Sequence, residues 1–135
     1  MDGEPDTLWG LEGYTHPVGF FLGHVSTDIF KEEMAKVDAD KLLRHQQGLG
    51  SPDYDLHHYD WAGGWLKRDE DPDRDSTTSH VAVCHFWAQG PSQREEILKE
   101  LGRFAADQNL QTSLLQSCGL LKECRDETML TMWLR

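Results

Sequence analysis

The chain has 135 residues, 38% of them hydrophobic and 10% aromatic, which suits one small core and excludes a globally disordered chain. Its formal charge is -11, from 13 Lys and Arg against 24 Asp and Glu. Such a surface repels phosphate, which argues against direct nucleic-acid binding and against anionic membranes. Charge of this size either keeps a protein soluble or steers it toward a basic partner.

Three cysteines, Cys84, Cys118 and Cys124, form no dense framework and no paired metal spacing, as expected of a reducing compartment. The acidic start MDGEPDTLWGLEG does not read as a signal peptide, and no apolar run has the length of a membrane span. The expectation is a soluble, cytoplasmic protein.

In chain order, residues 1–16 read as a lead-in pinned by Trp9 and Tyr14, and 17–135 as one α+β domain. VGFFLGHVS (18–26) is short, apolar and rich in Val and Phe, which predicts a buried strand. From Ser26 the period changes. Ile29, Phe30, Met34 and Val37 follow helical spacing, with Ser26 or Thr27 as N-cap and Asp28 in the first turn. A second short helix over 41–45 is expected, stopped by Gly48 and Gly50.

Residues 53–66 read as a strand, 67–79 as a charged loop, and HVAVCHFWA (80–88) as a central strand. Residues 91–109 are the clearest helix. Ser92 and Glu95 match a capping box, and Ile97, Leu98, Leu101, Phe104 and Ala105 form its apolar stripe. Residues 112–121 read as a strand or a short helix, and 128–135 as a strand. The resulting βαββαβ order predicts a ferredoxin-like sandwich, an antiparallel sheet with two main helices on one face.

On the strand 80–88, Val81, Val83, His85 and Trp87 share one face, and Ala82, Cys84 and Phe86 the other. Both faces are largely apolar, so the second needs a cover. A second copy of the chain is the simplest candidate, hence a homodimer; the N-terminal segment with Trp9 and Tyr14 is the alternative cover.

The stretch DLHHYDWAGGWL (55–66) concentrates the candidate chemistry. Strand alternation separates His57 from His58, so the two cannot chelate one metal. Asp55, His57, Tyr59 and Trp61 share a face with Trp65, unless Gly63 and Gly64 form a bulge that shifts Trp65. Asp55 two residues from His57, with Tyr59 alongside, could position a general base. His85 is the other catalytic candidate. Trp61, Trp65, His58 and Trp87 are the ligand-binding candidates. The spacing is no specific motif, so the simpler reading is a packed aromatic cluster flanked by solvated polar residues.

No metal motif, phosphate loop or G-x-S-x-G occurs, and no metal or cofactor is expected. The acidic tract Asp69, Glu70, Asp71, Asp73 and Asp75 lacks the glycine and terminal glutamate of a calcium loop. It is the first place to look for contact with a basic protein partner. Two functional expectations follow. One is an acidic interaction protein that regulates or inhibits another macromolecule. The other is a small-molecule-binding protein, or a cofactor-free isomerase or oxygenase, using His57 or His85.

Overall fold

A computed structural model describes residues 7–16, 18–69, 71, 79–111 and 114–135. The chain divides into two compact units, Met1–Asp55 and Leu56–Arg135.

The first unit is helical. Gly19–His24 forms a π-helical segment, and α1 spans Asp28–Ala39. The strand expected over 18–26 is therefore absent. Its apolar residues fit two periods: Val18, Phe21, Leu22 and Val25 also recur at i, i+3, i+4 and i+7. Contacts within the turn favour the helical reading. The Phe20 and His24 rings stack with centroids 6.2 Å apart, and the Val25 N–H donates to the Phe20 carbonyl, 2.9 Å away. Thr27 is the N-cap of α1, its Oγ1 accepting from the Phe30 N–H at 3.2 Å. The helix expected over 41–45 does not form. Lys41 turns to a positive φ of 54°, and the following residues are bends and turns. His45 and Asp53 close that segment. The His45 N–H donates to Asp53 Oδ2 at 2.7 Å, and the ring Nδ1 contacts Oδ1.

The second unit is α+β. β1 is Tyr59–Trp65, β2 Ala82–Trp87, α2 Pro91–Leu110, β3 Cys118–Glu123 and β4 Met129–Leu134. The strands form one open antiparallel sheet in the order β1-β3-β4-β2. The ferredoxin-like βαββαβ order expected from sequence is not met: the first expected strand is helical, and among the described residues of this unit a single helix accompanies the sheet. β2 and β3 run parallel with β4 between them, so β2, α2 and β3 form a split crossover.

α2 begins with Pro91 at the first helical position and Gly90 as an N-cap without a side-chain bond. The expected Ser92–Glu95 capping box thus lies inside the helix. Instead, Gln93 Oε1 accepts the Gln89 N–H at 2.6 Å. Leu98, Leu101 and Ala105 face the sheet, against Trp65, Cys84, Phe86, Cys118, Leu120, Met132 and Leu134. This is the hydrophobic core. No helix among the described residues is long and apolar enough to cross a membrane.

Two arginines without any sequence signature lock α2 onto the sheet. Arg94, buried at its start, donates from one terminal nitrogen to the carbonyls of Glu123 (3.1 Å) and Asp126 (2.9 Å) in the β3–β4 turn. Arg68 caps its other end. It donates to the carbonyls of Gln108 (2.7 Å), Asn109 (3.2 Å), Gln111 (3.3 Å) and Leu115 (2.8 Å). Its guanidinium carbon also lies 4.4 Å from the centre of the Trp65 ring. A cation at a helix C-terminus meets the unsatisfied carbonyls and the negative end of the dipole.

Candidate functional site

The stretch 55–66 supplies β1, Tyr59–Trp65, and the glycine pair does shift it. Tyr59, Asp60 and Trp61 pair in order with Glu123, Lys122 and Leu121; then the register slips between Trp61 and Gly63. Trp65 consequently pairs with Cys118 on the helix side, where its indole N–H donates to the Ala105 carbonyl at 3.1 Å. Tyr59 and Trp61 stay on the opposite face. Gly64, at φ +89°, makes the slip possible. A Cβ there would lie 1.9 Å from the Cys118 carbonyl oxygen, so only glycine fits.

The face away from α2 collects the polar aromatic residues. His85 Nδ1 lies 2.8 Å from Thr131 Oγ1, and that hydroxyl lies 3.0 Å from the Tyr59 hydroxyl. A threonine hydroxyl has one proton. It can serve either the Tyr59 hydroxyl or the imidazole, and the His85 tautomer follows from that choice. The His57 ring lies 5.9 Å from His85 and 5.8 Å from Tyr59, and Trp87 lies 6.0 Å from His85. The sheet thus brings His57, Tyr59, His85 and Trp87 together, and adds Thr131, which sequence reading did not single out. Thr131 is almost fully buried, and His85 Nε2 is closed off inside the protein.

Glu123, also missed in the sequence, pairs with Tyr59 in the register and is buried. Burial alone would push its carboxyl up. The backbone N–H groups of Asp126, Arg125 and His58, with the nearby His57, outweigh that and hold it below the usual glutamate value. This carboxylate organises the β3–β4 turn and the entry to β1.

The remaining candidates lie elsewhere. His58 accepts the Cys124 N–H at its carbonyl (2.8 Å) and, with Asp60, precedes or begins the ladder. Asp55 is the last residue of the first unit. Trp61 borders an open groove of about 410 Å³, also lined by Ala62, Leu98 and Gly102 and rimmed by Glu95, Lys99 and Lys122. Of the acidic tract, Glu70, Asp73 and Asp75 lie outside the described residues. Asp69 is exposed. The Asp71 carboxylate is buried and paired with Arg135.

All three cysteines are free. Burial pushes the Cys118 thiol up; burial, then Asp60 and Glu123, does the same for Cys124. Neither is tuned toward the reactive thiolate. Among the described residues, no group of three His, Cys, Asp or Glu side chains is placed to hold a metal ion. The chain matches no family model, no curated protein and no solved structure.

Proposed function

We propose that this chain is a small acidic interaction protein, dimeric and cytoplasmic, that regulates or inhibits a basic macromolecular partner. The observation that carries this reading is the charge of -11 on a chain of 135 residues. Carboxylates stand well exposed on both helices, among them Asp28, Glu33, Glu95 and Glu100. Charge of one sign raises the encounter rate with a partner of the other and repels nucleic acid and anionic lipid. The densest acidic tract is Asp69, Glu70, Asp71, Asp73 and Asp75. Asp71 is engaged by Arg135, so Asp69, Glu70, Asp73 and Asp75 are the residues to neutralise in a test. Three free thiols support a reducing compartment.

A fluorescein-labelled oligo-arginine peptide provides the test. It should bind, and more weakly as salt rises. Neutralising Asp69, Glu70, Asp73 and Asp75 to the amides should weaken binding more than neutralising Asp28, Glu32, Glu33 and Asp40. Equal losses would remove the tract from the reading, and no binding at low salt would sink the reading itself.

The cluster around His85 favours a second reading: a small-molecule-binding protein or cofactor-free isomerase or oxygenase, with His57 or His85 as base. Its support is the His57–His85 ring distance of 5.9 Å beside Tyr59 and Trp87. NMR of ring-labelled histidines decides it. Small aromatic acids or enolisable ketones that move the His57 and His85 signals together would favour it. Signals unmoved by any of them would count against it, as a purely structural cluster requires.

A further inference from the structure

We propose that the outer edge of β2 pairs antiparallel with β2 of a second copy, about a two-fold axis at Cys84. This rests on the dimeric part of the reading above and gives it a surface.

Among the described residues, the strand order leaves two edges, β1 and β2. An open edge presents a row of backbone donors and acceptors, and proteins that must stay single blunt such edges with bulges, charges or proline. β1 is blunted. It carries Asp60, the register slip after Trp61, and Gly63 and Gly64 at φ +146° and +89°. β2 has none of these devices. Ala82–Trp87 (AVCHFW) pairs with β4 over six residues without a slip, and contains no Asp, Glu, Lys, Arg, Pro or Gly. On a chain of net charge -11, an uncharged edge is where two copies can approach without bringing carboxylates together.

The register follows from backbone direction. The Ala88 N–H donates to the Thr128 carbonyl of the neighbouring strand at 2.9 Å. In an antiparallel ladder alternate residues point the same way, so Phe86, Cys84 and Ala82 also aim their backbone groups at β4. Val81, Val83, His85 and Trp87 aim theirs outward. An axis at Cys84 overlaps the whole stretch 81–87 with itself. It sets Val83 opposite His85 of the second copy, and Val81 opposite Trp87 of the second copy, each pair occurring twice. Val81 and Trp87 are the exposed large apolar residues of this stretch, at 37% and 63% exposure. A self-complementary patch of this kind is what an isologous contact requires.

Light scattering after size exclusion should give twice the 15.5 kDa chain mass. Val83→Pro removes an outward N–H and spares the β4 ladder, so it should give a monomer with an unchanged circular dichroism spectrum. Trp87→Glu should raise the dimer dissociation constant about tenfold or more, because it replaces the large aromatic contact at both ends of the ladder with a charge. Adding Val81→Lys to Trp87→Glu should restore the dimer, because opposite charges then meet at both ends. A wild-type monomer at all concentrations overturns both this inference and the dimeric reading. A folded Val83→Pro variant that stays dimeric overturns the β2 edge and leaves the dimer standing. A double variant no better than Trp87→Glu alone overturns the register centred on Cys84.

Discussion

The two units are held together by different forces. In Leu56–Arg135, Leu120, Met129, Leu130, Cys118 and Ala105 are almost fully buried, and polar contacts join residues distant in sequence, such as Arg68 to Gln108 and Arg94 to Asp126. In Met1–Asp55, Ser51 is the one buried residue among those described, and Leu22, Ile29 and Leu42 are each more than two-thirds exposed. Most of its hydrogen bonds are short-range, such as the Thr27 cap, the Asp38 side chain on the Gly48 N–H, and His45 with Asp53; the Tyr54 hydroxyl on Met34 Sδ reaches further. Short helices are marginal in water without tertiary burial. The first unit therefore depends on its caps, turns and ring contacts, and the second on its core. Perturbations should separate them accordingly.

The largest effect is expected from Gly64→Ala. The new methyl would collide with the Cys118 carbonyl at a backbone angle that side chains rarely adopt. Unfolding of the second unit in urea should become easier by about 3 kcal/mol or more, while α1 resonances stay in place. If the two units lose structure together, the contrast drawn between them fails. Arg68→Ala comes next. It leaves the carbonyls at the end of α2 without their shared donor and uncovers Trp65. At this partly exposed site the loss is about 2 kcal/mol, read by the same urea titration. Arg68→Lys should recover only part of it, since an ammonium cannot reach four carbonyls as the planar fork does.

Much of the second unit is legible in the sequence, because its signals are local. The helix 91–109 announces itself through Leu98, Leu101 and Ala105, and the alternation in 80–88 groups Cys84 with Phe86, the pair that the sheet turns toward the helix. Phe104, counted in the same stripe, stays 40% exposed: the stripe is wider than the sheet beneath it. The region 18–26 misleads because one apolar run satisfies both periods, and only contacts such as Phe20 with His24 choose between them. The site was legible only in pieces. Alternation puts His57 and Tyr59 on one face, but their meeting with His85 and Thr131 depends on a strand order that brings residues 46 and 72 positions apart into hydrogen-bond range. Arg68 and Arg94 were invisible because their partners are backbone carbonyls, which every residue carries.

A smaller effect should follow in the first unit from Thr27→Ala. It removes the one side-chain cap of α1 and should cost about 1 kcal/mol of helix stability. Far-UV circular dichroism should show a loss of helix with the near-UV signal of the tryptophan-rich second unit retained. An unchanged spectrum would mean that α1 is not held by its cap.

The smallest expected effect is a titration, and it sets one carboxylate of each unit against the other. The His45 backbone N–H and then its ring hold the Asp53 carboxyl down to about 2, from an ordinary 3.8. A carboxylate whose pKa is lowered by folding contributes stability above its unfolded value and loses it as pH falls through the folded one. The 45–53 turn should therefore hold above pH 3.8 and open as pH falls toward 2. NMR would read this as the His45 amide shift moving with the Asp53 carboxyl signal. Glu123 is also held below its ordinary 4.5, but through backbone donors inside a packed turn, so its protonation should loosen β3, β4 and the entry to β1 together. Protonating Asp53 should disturb only its own turn, whereas protonating Glu123 should shift signals across the sheet. An Asp53 titrating at its ordinary value would show that the His45 contact is not kept in solution.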